Sequence, residues 1–215
     1  MLSLLFATVL AAASPTPAPA ATATPAPAAS PAAAKAAPSD PYGGRVGAFG
    51  LTAGVAIPGG ELGMSTGLAF SVRRPVAMDG RLVVGAELGF AQTRASGNAS
   101  EPGLPAGQGY KVSVSAIPVA VHALWHQPAG PVWIAAGAGP VFAPVTVTSS
   151  AGGGTNTERS TAMGAELLGG AELPLGPGAV AADLSFRFLT ASGVKATGSG
   201  NLGGPGLRVG YRLRF

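Results

Sequence analysis

From residue 44 onward, apolar side chains recur at every second position. Phe49, Leu51, Ala53, Val55 and Ile57 alternate with Ala48, Gly50, Thr52, Gly54 and Ala56. Met64, Leu68, Phe70 and Val72 alternate with Ser65, Gly67, Ala69, Ser71 and Arg73. Leu82, Val84, Ala86, Leu88 and Phe90 enclose Val83, Gly85, Glu87 and Gly89. The same period returns in Met163–Leu173, in Val180–Phe188 around Asp183, Ser185 and Arg187, and in Leu207–Phe215 around Arg208, Gly210, Arg212 and Arg214. Successive side chains on a strand point to opposite faces, so each run predicts a strand with one greasy face and one small or polar face. Three runs are less regular, Met163–Leu173 among them. Between Lys111 and Trp125 the apolar phase changes near Ser115, from Val112 and Val114 to Ile117, Val119, Val121 and Trp125. That change predicts a bulge, with which Pro118 is compatible. Val132–Val147 has a similar ambiguity and leaves the face of Trp133 open. The total is eight strands.

The connections carry independent information. Short turns are expected at Pro58–Glu61, Ala77–Gly80, Gln127–Gly130 and Gly176–Gly178, and long loops at 95–109, 149–160 and 191–204. Every even-numbered strand therefore ends in a tight turn, whereas three of the four odd-numbered ones end in a long loop. An up-and-down antiparallel barrel with short turns at one rim and long loops at the other has this asymmetry.

Upstream the chain changes character. Leu2–Ala13 is apolar and ends in Ala11-Ala12-Ala13 before Ser14, which predicts a signal peptide over 1–13. Residues 14–41 are almost entirely Ala, Pro, Ser and Thr, a composition that bars a helix and buries little, and so predicts a disordered linker. The barrel domain is then 42–215. The 215 residues include 34 Gly, 20 Pro, no Cys and only 10% charged residues. Absence of cysteine excludes disulfides, thiolate metal sites, cysteine catalysis and lipid-acylated cysteine. The net charge of +4 has no continuous basic face with stacking aromatics, which argues against nucleic acid as a partner.

Two barrels fit eight such strands. A soluble, lipocalin-like barrel turns its apolar residues inward around a ligand, and a membrane barrel turns them outward to lipid. A soluble barrel should carry charges densely on its outer face. Here the polar face holds mainly Gly, Ala and Ser, with Glu87, Glu166, Glu172 and Asp183 opposed by Arg187, Arg208 and Arg212. Such sparse charges of both signs predict an interior ion-pair network, with Glu166–Arg187 and Asp183–Arg212 as pairs that fix strand register. The fold class expected is thus an eight-stranded transmembrane β-barrel.

At this point the chain resembles the small outer-membrane β-barrel domains of Gram-negative bacteria, of the opacity-protein and OmpA/OmpX kind, over Gly44–Phe215. The ending Leu207-Arg-Val-Gly-Tyr-Arg-Leu-Arg-Phe215 looks like the signal such proteins present to the barrel-assembly machinery, with Tyr211, Leu213 and Phe215 its alternating apolar positions. The Ile117-Pro118-Val119 step also recurs in such domains. The resemblance implies an outer-membrane location with outer-membrane lipid as a partner. It places both chain ends and the turns that follow even-numbered strands in the periplasm, and the Pro58–Glu61 turn and the loops 95–109, 149–160 and 191–204 outside, where an extracellular partner would bind those three loops. It makes Tyr110, Trp125, Tyr211 and Phe215 candidates for the interfacial girdles.

Candidate chemistry is sparse. His122 and His126 are the only histidines; on a strand they share a face about 13 Å apart, too far for one metal ion. They are expected to be polar residues near a short turn, as Arg73, Arg74 and Arg81 are expected to be interfacial anchors. Gly152-Gly153-Gly154-Thr155 lacks the lysine of a phosphate loop. The sequence therefore predicts no catalytic, cofactor or metal residues, and a structural or surface-interaction role. A narrow channel or carrier for a small apolar solute, and a soluble lipocalin-like binder, are the alternatives.

Overall fold

The computed structural model describes residues 42–59, 62–77, 79–98, 109–192 and 201–215; the signal and linker expectations over 1–41 lie outside them. The described residues form nine antiparallel strands: β1 (Ala48–Ala56), β2 (Ser65–Ala77), β3 (Leu82–Asn98), β4 (Gly109–Ala116), β5 (Val119–Ala129), β6 (Val132–Ala151), β7 (Gly154–Leu175), β8 (Gly178–Ala191) and β9 (Gly204–Arg214). Strands consecutive in the chain pair with each other, β4 and β5 excepted, and β1 also pairs with β9, so the sheet closes on itself as an up-and-down barrel.

Nine strands make eight walls because β4 and β5 are two lengths of one. β4 pairs with the far halves of β3 and β6, and β5 with their near halves. The expected bulge is absent there. Ala91↔Ala116 and Leu88↔Val119 belong to one continuous register, as do Ala116↔Val145 and Val119↔Phe142. The ladder is interrupted because Pro118 has no N–H to give, while its carbonyl still accepts from Gly89 N at 2.7 Å. A register shift does occur at the end of β2, between Pro75 and Ala77.

With no bulge, the side-chain phase never changes; the polarity does. Along this wall Val112 and Val114 point inward and are buried, and Ala120, His122, Leu124 and His126 continue on the same inner face. Val119, Val121 and Trp125 lie on the outer face with Ser113 and Ser115. β6 does the same, with Ile134 and Phe142 exposed outside, Trp133 buried inside, and Val145 and Val147 buried above it. The apolar stripe has moved from the outside of the barrel to the inside partway up.

On β3, β4 and β6 the polar outer positions begin on a single cross-strand row, Gln92↔Ser115↔Thr146, which continues to Arg159 on β7, where Thr161 precedes it. Below that row the outer face is hydrocarbon, including Leu51, Phe70, Leu88, Phe90, Leu167 and Phe186. On β6 the outward apolar positions run from Ile134 to Pro144. Eleven residues at ~3.3 Å rise and ~40–45° tilt cover about 25–28 Å, the height of a membrane barrel's lipid belt. Above the row the sheet has the polarity of a soluble protein, with an apolar cluster inside that includes Val112, Val114, Val145, Val147 and Leu189. This part rises on one side only, because β6 and β7 run 20 and 22 residues while β1 and β9 run 9 and 11.

The 149–160 segment, expected as a long loop, is the tip of that wall. β6 and β7 stay paired to Ala151↔Gly154, and Gly152 and Gly153 make the turn at φ +60° and +82°, the conformation a two-residue hairpin turn requires and glycine supplies without strain. The 95–109 loop is shorter than expected, since β3 reaches Asn98 and β4 starts at Gly109; 99–108 and 193–200 lie outside the described residues. At the opposite rim the described turns are residues 79–81, Gly130-Pro131 and Gly176-Pro177, the second at the far end of the expected Gln127–Gly130 turn.

Trp125 is 41% exposed on the outer face and Trp133 is 2% exposed inside. In vesicles containing brominated lipid, the fluorescence of a Trp133→Phe variant, which keeps Trp125, should be strongly quenched. That of a Trp125→Phe variant should be nearly unaffected; equal quenching would contradict the assigned faces.

Candidate functional site: the lumen and the outer wall

The lower lumen is packed with charge. Glycine and other small residues on the inner faces of β1, β2, β3 and β9 leave room for long side chains from the other walls. In the upper of two clusters Glu166 (β7) sits directly across from Arg187 (β8), with Arg187 Nε 3.2 Å from its Oε1. Arg208 (β9) donates to the same oxygen at 3.2 Å and also to Glu87 on β3. Arg187 donates to Glu87 at 3.2 Å, and His122 Nε2 lies 3.1 Å from Glu166 Oε2. In the lower cluster Glu172 accepts from Arg212 at 2.8 Å and from Arg73 at 3.1 Å. Arg212 also binds Asp183, and Arg214 lies 3.7 Å from Glu172.

These contacts span the lumen. Glu87 on β3 reaches β8 and β9, Arg73 on β2 reaches Glu172 on β7, and His122 on β5 reaches β7. Four carboxylates meet five buried or nearly buried guanidiniums, Arg73, Arg187, Arg208, Arg212 and Arg214, which leaves no large net charge in a region of low dielectric. All seven interior charges named from the sequence lie in these clusters, and the pairs Glu166–Arg187 and Asp183–Arg212 are in contact.

Three members depart from the sequence reading. Arg73 is 3% exposed and belongs to the lumen, not to the membrane interface where Arg74 and Arg81 are exposed. His122 and His126, expected as polar residues near a short turn, are buried lumen groups, and the backbone of His126 donates to Arg81 O in the turn at 2.7 Å. The signal is present in each case: Arg73 continues the inward series Ser65, Gly67, Ala69, Ser71, and the histidines continue Ala120 and Leu124. Among the described residues no group of three or more His, Asp or Glu could hold a metal ion.

The short-turn end is stopped by residues before the first strand. Tyr42 is 4% exposed, clusters with Val83, Leu124 and Leu168, and has its ring centroid 6.1 Å from that of His126. Burial, reinforced by the Glu172 carboxylate, pushes its phenol above the ordinary value, so it stays neutral. Arg45 fastens this segment by donating to the carbonyls of Pro177 and Arg214 at 2.8 and 2.6 Å. Nothing in the sequence pattern flags Tyr42.

The terminal residues close the seam. Phe215 N and O pair with Gly47 O and N at 2.9 and 3.1 Å, and the Phe215 ring stacks on Phe49 at 4.4 Å. Leu213 and Phe215 face outward, each 46% exposed, and the Tyr211 hydroxyl donates to Leu175 O at 2.8 Å. Trp125, Tyr211 and Phe215 thus lie on the outer face at the short-turn end. Tyr110 does not join a girdle: it packs against the apolar cluster inside the tall wall and covers Gly97, its cross-strand partner.

No protein-family model and no curated sequence matches the chain. Solved structures do. The major outer membrane protein from Thermus thermophilus aligns with a TM-score of 0.56 at 17% identity, over 79% of this chain and 99% of that one. The attachment invasion locus protein Ail of Yersinia pestis, in complex with the heparin analogue sucrose octasulfate, aligns at 0.45 and 14%, over 79% and 97%. Neisserial surface protein A aligns at 0.42 and 14%, over 79% and 96%. The Thermus likeness carries the fold: this chain has the fold of the outer-membrane β-barrels.

Removing one buried partner strands the others. Arg212→Leu should cost about 3–5 kcal/mol by exposing Glu172 and Asp183 to uncompensated burial, read as a lower urea midpoint in detergent. Combining it with Asp183→Leu should recover part of the loss, and a double variant no more stable than the single one would argue against the pairing.

Proposed function

We propose that this protein is an integral outer-membrane barrel with a structural or surface-interaction role and no catalytic activity. The observation that carries the reading is the inversion of polarity at one cross-strand row, with a hydrocarbon belt below it and a polar outer wall above. The belt fits lipid and would be insoluble in water, which opposes the lipocalin-like alternative. The wall rises past the belt on the loop side of the barrel, where an extracellular partner would meet it. With 149–160 forming the hairpin tip of that wall, the partner-binding region becomes the wall face itself, together with the segments 99–108 and 193–200 that lie outside the described residues. Outer-membrane lipid is the immediate partner of the belt, and the seam-closing ending at Tyr211, Leu213 and Phe215 is offered to the barrel-assembly machinery during biogenesis.

The carrier reading has one supporting feature, an apolar space inside the upper barrel lined by Leu62, Val114, Val145, Leu189 and Leu202. It measures about 70 Å³, room for a few water-sized molecules and well below the ~300 Å³ at which ordinary ligand pockets begin. Beneath it the two charge clusters and Tyr42 fill the bore.

Two measurements test the proposal. Outer membranes from cells expressing the full chain should yield a band that migrates faster unboiled than boiled on a denaturing gel; a soluble periplasmic protein with no shift would sink the membrane reading. Liposomes carrying the purified barrel should release small solutes no faster than protein-free lipid, and flux above that control would favour the channel.

A further inference from the structure

The residues ahead of β1 cross the mouth of the barrel at its short-turn end. Tyr42-Gly43-Gly44-Arg45 is a tight turn, closed by Arg45 N donating to Tyr42 O at 3.1 Å. Gly43 and Gly44 sit at φ +58° and +78°, the pair of positive values that a type I′ turn requires. On one side of the turn Tyr42 packs with Val83 of β3, Leu124 of β5 and Leu168 of β7. On the other, Arg45 donates to the carbonyls of Pro177, in the β7–β8 turn, and of Arg214, at the end of β9. Those acceptors lie 132 and 169 residues away in the chain. Gly47 then pairs with Phe215 through both of its backbone groups. The approach there leaves no room for a side chain, since a Cβ on Gly47 would lie 2.8 Å from the Phe215 ring and 2.9 Å from Arg73 O.

This short segment therefore touches walls that the sheet keeps apart. In the strand order β3 and β7 are separated by the β4/β5 wall and by β6, and β9 lies beyond β8. The site that Tyr42 fills exists only after the sheet has curled into a barrel. Contacts between residues so distant in the chain carry the largest loop-closure cost and form late. The Gly47–Phe215 pair is also the last rung of the β1–β9 seam, and the segment occupies both Arg214 O and Phe215 O. A seam that opens from this end must first release it, and a foreign strand paired with the end of β9 must leave before it can dock.

We propose that residues 42–47 are a strap that docks after the walls have joined and sets the rate at which the barrel reopens. Tyr42 is its anchor, Arg45 its clasp, and the Gly43-Gly44 turn sends one into the mouth and the other across the rim. An interaction missing from the transition state for closure slows opening and leaves closure unchanged. The strap stands where opening would begin, at the wet end of the seam, before any N–H or C=O within the belt has lost its partner. Kinetic persistence of the closed state is thereby assigned to residues outside every strand. The inference goes beyond the proposed function: it rests on the closed sheet and holds whichever solvent surrounds the barrel.

The test follows the full chain in detergent micelles. Loss of the fast-migrating unboiled band in urea reports opening, and its return on dilution reports closure. A Tyr42→Ala/Arg45→Gln variant should open about tenfold faster than wild type and close at the wild-type rate. Arg45→Gln alone should open at an intermediate rate. An Arg74→Gln/Arg81→Gln variant, altered in exposed arginines of the same rim, should match wild type in both directions. Amide exchange separates the strap from a general loosening: in the double variant Phe215 N–H should exchange faster, while the β6–β7 ladder keeps its protection. An unchanged opening rate would overturn the proposal. So would a double variant that closes more slowly in the same proportion, or does not close at all, since either result would place the strap before closure.

Discussion

Hydrocarbon on the outside of a β-sheet imposes two demands at once. Every strand must find a partner on both sides, because an unpaired N–H or C=O in lipid costs several kcal/mol. The closed sheet then encloses a lumen that must also be filled. Here the first demand is met by the β1–β9 seam, which the Gly47–Phe215 pair extends to the last residue of the chain. The second is met by ion pairs that tie opposite walls together. Apolar residues could fill a bore equally well, yet both faces of every strand would then be greasy and nothing would define the register. With Arg and Glu inside, a slip of one residue would turn them toward lipid, where an arginine at mid-depth costs about 2–4 kcal/mol. The charge network thus penalises wrong pairings more than it stabilises the right one.

The same constraint explains the upper wall by its lapse. Once the strands of β3, β4, β6 and β7 pass the lipid boundary, water wets the outer face and the apolar side chains move inside. Valines at 112, 114, 145 and 147 form a small apolar cluster with Leu189 of β8. One set of strands therefore serves two solvents, and the change falls on the row from Gln92 to Arg159 in register across four strands.

Most of the fold is legible in the sequence because period-two alternation reports face directly. The walls, the closure and the interior position of Glu87, Glu166, Glu172 and Asp183 follow from it. Two of the failures share one cause. A pattern reader assumes a fixed solvent on each face, so the switch at Ser115 looks like a displaced residue instead of a displaced boundary. The expectation of a bulge at Pro118 and the placement of Tyr110 in a girdle both follow from that assumption. The Ser/Thr/Gly-rich stretch 149–160 looks like a loop because Ala151 is its only apolar side chain and leaves no alternation to read, yet continuous β6–β7 pairing makes it strand. Arg73 misleads differently: its nearness in sequence to Arg74 and Arg81 hides its parity. Tyr42 has no pattern to belong to, since one aromatic at the end of an Ala/Pro stretch gains a location only from the mouth it enters.

Filling the lumen also determines where recognition can take place. Each interior carboxylate is already engaged by a guanidinium, and the lower mouth is occupied by Tyr42. An incoming group would have to replace a charge-assisted contact in a medium that makes such contacts strong. The outer wall carries no such penalty. Its hydroxyls and cations are hydrated, its backbone is held by nineteen consecutive β6–β7 partners, and a rigid sheet loses little conformational entropy when a ligand settles on it. Two groups of the protein's charges thereby meet different physics. Opposed signs inside the belt hold the walls in register, and cations of one sign above it face outward without internal partners.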